Sequence, residues 1–195
     1  YMQRAILVPL GMTHSSFVWT ADLEGHAATG YRRSGEPVAN YSFAEEAGGG
    51  LYTTLSDLAS FVSANMPDAH GRPAGRGVLR PGSAVQLLSP APGTNGAYGL
   101  GFQTEELSGA VRMASHFGKM PGWSSGIAFL PDRGRGIVVL TNGDLGFLLV
   151  AHVLCAWTSC TTGTMPVTPC QMVRSTGLTT VLITALLVLG LTGYG

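Results

Sequence analysis

The sequence predicts an α+β fold: an antiparallel β-sheet flanked by helices, followed by a C-terminal hydrophobic segment read as a transmembrane helix. Three observations predict it. Between Tyr98 and Gly143 run four short apolar stretches rich in β-formers, "YGLGFQTE", "AVRMASHF", "SSGIAFLP" and "GIVVLTNG", separated by turn residues. On either side, apolar residues take helical spacing or run apolar all round. Charge also stops abruptly: all eleven acidic residues and ten of the eleven basic ones lie at or before Asp144, leaving only Arg174 beyond it.

The chain has 195 residues, enough for one ordinary domain and its core. Net charge is zero and no basic stripe appears, so nucleic-acid binding has no electrostatic support. With 28 glycines and 11 prolines, many turns are expected rather than a helical bundle. The composition divides the chain into a main domain over 1–160, a linker over 161–175 and an apolar segment over 176–195.

"YMQRAILVPLGM" reads as a helix tail broken by Pro9 and Gly11. It has no initiator Met at position 1 and no signal peptide, so it reads as the middle of a longer protein and is silent on compartment. Residues 13–47 are rich in turn material. In "GGGLYTTLSDLASFVSAN" the glycines allow close backbone approach, and Thr54 followed by Asp57 resembles a shortened capping box. Leu55, Leu58, Ala59 and Val62 then predict a helix over 55–65. "PGSAVQLL" predicts a short helix within an irregular stretch, and "DRGRG" the loop between the last two strands of a meander.

"LGFLLVAHVLCAW" is too short to span a bilayer, which takes about 20 residues, so it reads as a helix buried against the sheet. The uncharged run from Ser175 to the chain end is long enough to span, and is read as a membrane helix rather than a second buried one. Cys155, Cys160 and Cys170 contain no C-x-x-C pair. They read first as small buried hydrophobes, with zinc or redox chemistry as the alternative, and leave one extracytoplasmic disulfide open. His14, His70 and His152 form no metal-ligand pattern with carboxylates, so neither metal nor cofactor is called for.

Five stretches in order, "PLGMTHS", "GHAATGY", "GGGLYTTLSDLASF", "YGLGF" and "HFGKMPGWSSGIAFLPDRGRGIVVLTN", resemble the class C β-lactamase-like serine hydrolases. That family includes class C β-lactamases, D-alanyl-D-alanine peptidases and related esterases. The resemblance covers residues 1–157 and implies a β-lactamase/transpeptidase-like sheet. It also implies a site of three parts: S-x-x-K with the nucleophile, Y-x-N, and a K-T-G or H-x-G triplet on a strand. Only the third is present, as His116-Phe117-Gly118. Lys119 is the only lysine and has no serine three residues before it, and no tyrosine has asparagine two positions later. The chain therefore reads as the C-terminal portion of such an enzyme.

By this resemblance His116, Gly118 and Lys119 are the catalytic candidates, with the backbone N–H of Lys119 as oxyanion donor. Phe117 and Gly122 are the substrate-binding candidates. Taken alone, His116 would be a polar residue at a strand end; in this context it is the wall of a cleft. Trp123 reads as core, His26 as a loop residue, Asp57 as a helix-start residue, and Arg32, Arg33, Arg72, Arg76 and Arg80 as a solvated face.

The implied parent hydrolyses an amide or ester through an acyl-serine, with a β-lactam, a D-Ala peptide or an ester as substrate. It is expected to be membrane-anchored through the C-terminal segment, its catalytic domain outside the cytoplasm, and the present chain to be inactive. The alternative is a non-catalytic, membrane-tethered binding module of the same fold. The resemblance also implies strands beside "GIVVLTN". Without them that strand is an open apolar edge, and several hundred Å² of lost burial costs on the order of 10 kcal/mol.

Overall fold

The computed structural model describes residues 1–39 and 46–174. After an N-terminal helical turn at Gln3–Leu7 come α1 (Ala21–Glu24), β1 (Gly30–Tyr31), β2 (Pro37–Val38), α2 (Glu46–Gly49), α3 (Leu55–Ala64) and α4 (Pro81–Leu87). The sheet follows as β3 (Gln103–Leu107), β4 (Val111–Met120), β5 (Trp123–Leu130) and β6 (Arg135–Thr141), and α5 (Gly146–Thr162) closes the order.

The four strands form the predicted antiparallel meander, β3-β4-β5-β6. It lies between α3 and α5. On one face Val62 and Met66, from α3 and just past its end, pack with Phe102, Ala114, Ile127 and Phe129. On the other, Val150 and Leu154 of α5 pack on Ala128, Phe117, Ile137 and Val139. Neighbouring residues of β5 thus face opposite cores, which is why "GIAFL" reads as a continuous apolar run instead of alternating. Glycine at 126 lets α5 sit close, because a Cβ there would collide with Val150.

α3 starts where its sequence says. The Thr54 hydroxyl accepts the N–H of Asp57 at 3.2 Å, an N-cap. Asp57 does more than favour the helix dipole. Its side chain is buried, and one oxygen accepts the Ser15 hydroxyl and the His14 N–H, both at 2.8 Å. A two-way backbone bridge between Ser16 and Tyr52 runs alongside. The stretches "MTHS" and "LYTTLSDL" are therefore fastened together through one carboxylate.

Two elements differ from expectation. The stretch 98–102 is a tight bend, with Gly101 at φ +94°, so β3 begins only at Gln103. The glycines 48–50, read only as allowing close backbone approach, close a helical turn, α2, with the Gly50 N–H on the Glu46 carbonyl.

The expected transmembrane helix is not supported. No helix among the described residues is long and apolar enough to cross a membrane, and segment 176–195 lies outside them. The expectation rested on the segment's uncharged length and on the want of further sequence to bury it. Cys155 and Cys170 are not separate buried thiols but a disulfide, with Cα atoms 5.0 Å apart, and Cys160 is free and exposed. α5 ends at Gly163, at φ +73°, whose N–H reaches the Ser159 carbonyl. Beyond it, Val167 donates its N–H to Glu105 at 2.7 Å. The stretch read as a linker is thus tied to both α5 and β3.

Replacing Asp57 with alanine leaves the Ser15 hydroxyl with Thr53 Oγ1 alone and takes the acceptor from the His14 N–H, and is expected to cost about 1–3 kcal/mol. Urea unfolding measures it; a loss no larger than that of an exposed-site control, such as Ser56→Ala, would contradict the fastening role.

Candidate active site

β4 has ten residues and β3 only five. β3 pairs with Val111 through Ser115 and no further, because the bend at 98–102 turns the chain aside. β5 pairs with β4 from Ala114 to Met120. Among the described residues, His116 to Met120 therefore have a strand on one side only. His116 is not at a strand end, as the sequence suggested; it is the sixth residue of β4 and the first on the open half.

Hairpin geometry gives that open half its chemistry. Met120 pairs with Trp123 across the two-residue turn Pro121-Gly122. Gly122 sits at φ +81°, the left-handed position that glycine fills in a Pro-Gly turn. The pair flanking a two-residue turn exchanges hydrogen bonds, and bonding direction alternates along the strand. The N–H and C=O groups of Lys119 and Phe117 consequently point away from β5, towards the open side.

Side chains alternate between faces as well. His116 is exposed, its ring edge-on to Tyr98 at a centroid distance of 6.5 Å. On the opposite face Phe117 packs against Phe147 of α5 at 5.8 Å, and the Lys119 ammonium lies 5.2 Å from the centre of the same Phe147 ring. Gly118 lies between them. A Cβ there would collide with the Ser125 hydroxyl, so glycine keeps the strand floor flat. His116, Gly118 and Lys119 thus lie outside the packed core, with Gly122 at the adjoining turn, while the Phe117 ring packs against the α5 side of the core.

Sequence reading missed the residue that holds this end of the sheet. Asp144 accepts the N–H of Gly122 at 2.6 Å and that of Arg33 at 3.1 Å. Its own N–H reaches the Tyr31 carbonyl, and the Tyr31 N–H reaches Asn142, each at 3.0 Å. "TNGD" thereby grips the "TGY" strand and the hairpin turn together. Trp123, read as core, is half-buried beneath the same strand: a Cβ on Gly30 would lie 2.6 Å from its indole nitrogen. The one signal available for Asp144 was its place as the last acidic residue, directly after β6.

The Gly122 N–H, above all, holds the Asp144 carboxyl below the usual 3.8, with the Arg33 N–H and the nearby charges of Arg32 and Lys119 acting the same way against burial. His26 is spent locally, its Nδ1 on the Asp22 carbonyl at 2.8 Å. His14, Ser15 and Asp57 lie together but form no relay. Ser15 donates directly to Asp57, and the exposed His14 ring stands 3.8 Å from the carboxylate. Among the described residues no cluster of His, Cys, Asp or Glu could hold a metal ion.

A sheet between two helical layers, with H-x-G on the open half of one strand, defines a β-lactamase-like protein. A family model described as beta-lactamase matches residues 1–150, and the chain belongs to the beta-lactamase family. A human beta-lactamase-like protein is 30% identical over 149 residues, covering 73% of this chain and 29% of that protein. A class C β-lactamase superposes with a TM-score of 0.60 at 23% identity, over 73% of this chain and 45% of that one. A D-alanine carboxypeptidase from Burkholderia cenocepacia superposes at 0.57 with 19% identity, over 80% and 54%. At such identities the structures show a shared fold. The chain spans about a third to a half of the length of these relatives.

Because its folded carboxyl is more acidic than in the unfolded chain, Asp144 stabilises fully above about pH 4. That contribution is lost as pH falls through the lower folded value. Asp144→Asn is expected to show a smaller fall in thermal midpoint than wild type between pH 4 and pH 2, values set by the ordinary carboxylate range. Parallel curves for the two proteins would contradict the clamp.

Proposed function

We propose that these residues form one wall of an acyl-transfer site, in a serine hydrolase that cleaves an amide or ester through an acyl-serine. The substrate is a β-lactam, a D-Ala peptide or an ester. The single observation that supports this most is the outward N–H of Lys119 on a strand half that no other strand among the described residues pairs. A fixed backbone donor on a flat strand is what a developing oxyanion needs, and it stabilises charge without reorganising. Gly118 leaves room for the substrate to lie along the strand, and the exposed His116 beside Tyr98 stands where it can hydrogen-bond a substrate carboxylate or assist proton movement.

S-x-x-K and Y-x-N do not occur in the 195 residues, so the chain alone performs no acyl transfer. Its relatives' greater length is consistent with those parts lying elsewhere in a longer protein. We also propose an extracytoplasmic location, supported by the Cys155–Cys170 disulfide, since such bonds persist in oxidising compartments.

A fluorescent penicillin or fluorophosphonate probe tests the reading. Residues 1–195 are expected to remain unlabelled, and the protein encoded by the extended reading frame to label at the serine of an S-x-x-K. In that protein, Lys119→Pro removes the outward N–H together with the side chain, at a position where an open strand edge tolerates proline, and Lys119→Ala removes the side chain alone. Acylation is expected to slow by about 100- to 1000-fold relative to Lys119→Ala. Labelling of residues 1–195, or equal rates for the two variants, would overturn the assignment. An extended frame without S-x-x-K would favour a binding module that uses the same open strand.

A further inference from the structure

A cavity of about 660 Å³ opens at the far end of β4, away from His116. It lies between the end of α3, the loop 67–76, the start of α4 and the turn joining β5 to β6. Arg112 marks its edge on β4, four residues before His116, which is about 13 Å along a strand. Its volume is in the range of small-molecule sites.

The floor is apolar: Met66, Ala84 and Leu88 are buried, and Pro131 lies in the turn. The mouth is charged. Three arginines (Arg76, Arg112, Arg133) and two aspartates (Asp68, Asp132) line it. The hydrogen-bond balance at this mouth is uneven. Asp132 is taken by Arg112, whose Nε and Nη2 donate to its two oxygens at 3.1 and 2.6 Å. Asp68 accepts from the Arg72 side chain and from the backbone N–H groups of His70 and Arg72. Both carboxyls sit below the ordinary aspartate value, so they stay ionised and committed; hydrogen bonds from Arg72 and Arg112 are the leading causes.

The donors are not used up. Each guanidinium carries five N–H groups. Arg133 spends one nitrogen on the Thr161 carbonyl, and Arg112 leaves Nη1 free of the Asp132 pair. Glu106 stands opposite Arg112 in the ladder, yet the two form no ion pair among the described residues. Arg76 is not part of the solvated face the sequence suggested. It is largely buried, bonded to the carbonyls of Ser63, Arg72 and Pro73, and fixes the loop wall. What remains unspent at the mouth is donor chemistry with one surplus positive charge.

We propose that this cavity is a second binding site, separate from the acyl-transfer strand, for a small molecule with an apolar body and a carboxylate or phosphate head. The body rests on Met66, Ala84 and Leu88, and the head takes the free guanidinium edges of Arg112 and Arg133. Planar guanidinium groups suit these two-oxygen heads.

The probe is phenylphosphonate, titrated into the folded protein by calorimetry and followed by backbone amide shifts. Saturable binding with Kd below about 1 mM is expected, with shifts at residues 66–69 and 131–134. Arg133→Gln, which leaves the Arg112–Asp132 pair intact, weakens binding by about tenfold or more, the size of one lost charge-assisted contact. Ala69→Trp, which fills the mouth, abolishes it while the thermal transition is retained, and the neutral analogue benzyl alcohol does not bind measurably. The proposal is overturned by an absence of saturable binding, by equal affinity of Arg133→Gln and wild type, or by benzyl alcohol binding as well as phenylphosphonate.

Discussion

One carboxylate sets the geometry of the end of the sheet where the candidate site lies. Asp144 stands just past β6 and accepts the Gly122 N–H, so the β4–β5 turn cannot shift relative to the strand beyond it. Through the Arg33 N–H and the Tyr31 carbonyl it also holds the small β1–β2 ribbon over Trp123. The turn in turn fixes hairpin register, and register decides which N–H groups of β4 point outward. A slip of one residue would exchange the two sets and turn the Lys119 N–H towards β5.

The second constraint is unequal strand length. β3 stops pairing at Ser115 because Gly101 adopts a left-handed conformation and the preceding chain folds back on itself. Had β3 begun at Tyr98, it would have paired with His116 and beyond and closed the ladder. The open half is thus the product of a bend, not of a missing element among the described residues. Elsewhere the sheet has a different kind of opening. The outer edge of β6 has no strand partner among the described residues, and Leu140 is partly exposed there. Apolar edges of this kind invite strand addition.

Much of the fold was legible because its signals are local. The N-cap at Thr54, the apolar spacing through Val62 and the "DRGRG" loop each report on a few neighbouring residues, and each appears near its expected place. The H-x-G strand was legible as a motif, although its open half was not, since that depends on where another strand begins. The Asp144 clamp joins residues 22 and 111 positions apart, and no period or turn rule carries such information. The Cys155–Cys170 pairing was equally hidden, because three cysteines permit three pairings and only the turn after α5 selects one. Arg76 looked like a surface charge because composition cannot show that its guanidinium caps loop carbonyls. The membrane reading rested on the length and hydropathy of a segment outside the described residues.

The account stands or falls on which way β4 presents its backbone beyond Ser115. Residue-resolved amide hydrogen exchange on the folded protein addresses this directly. Amides of Phe117 and Lys119 should exchange at rates typical of surface loops, while those of Gly118 and Met120, turned to β5, should be protected. Protection of Lys119 equal to that of Gly118 would mean that the strand has no open donor and that the proposed cleft wall does not exist.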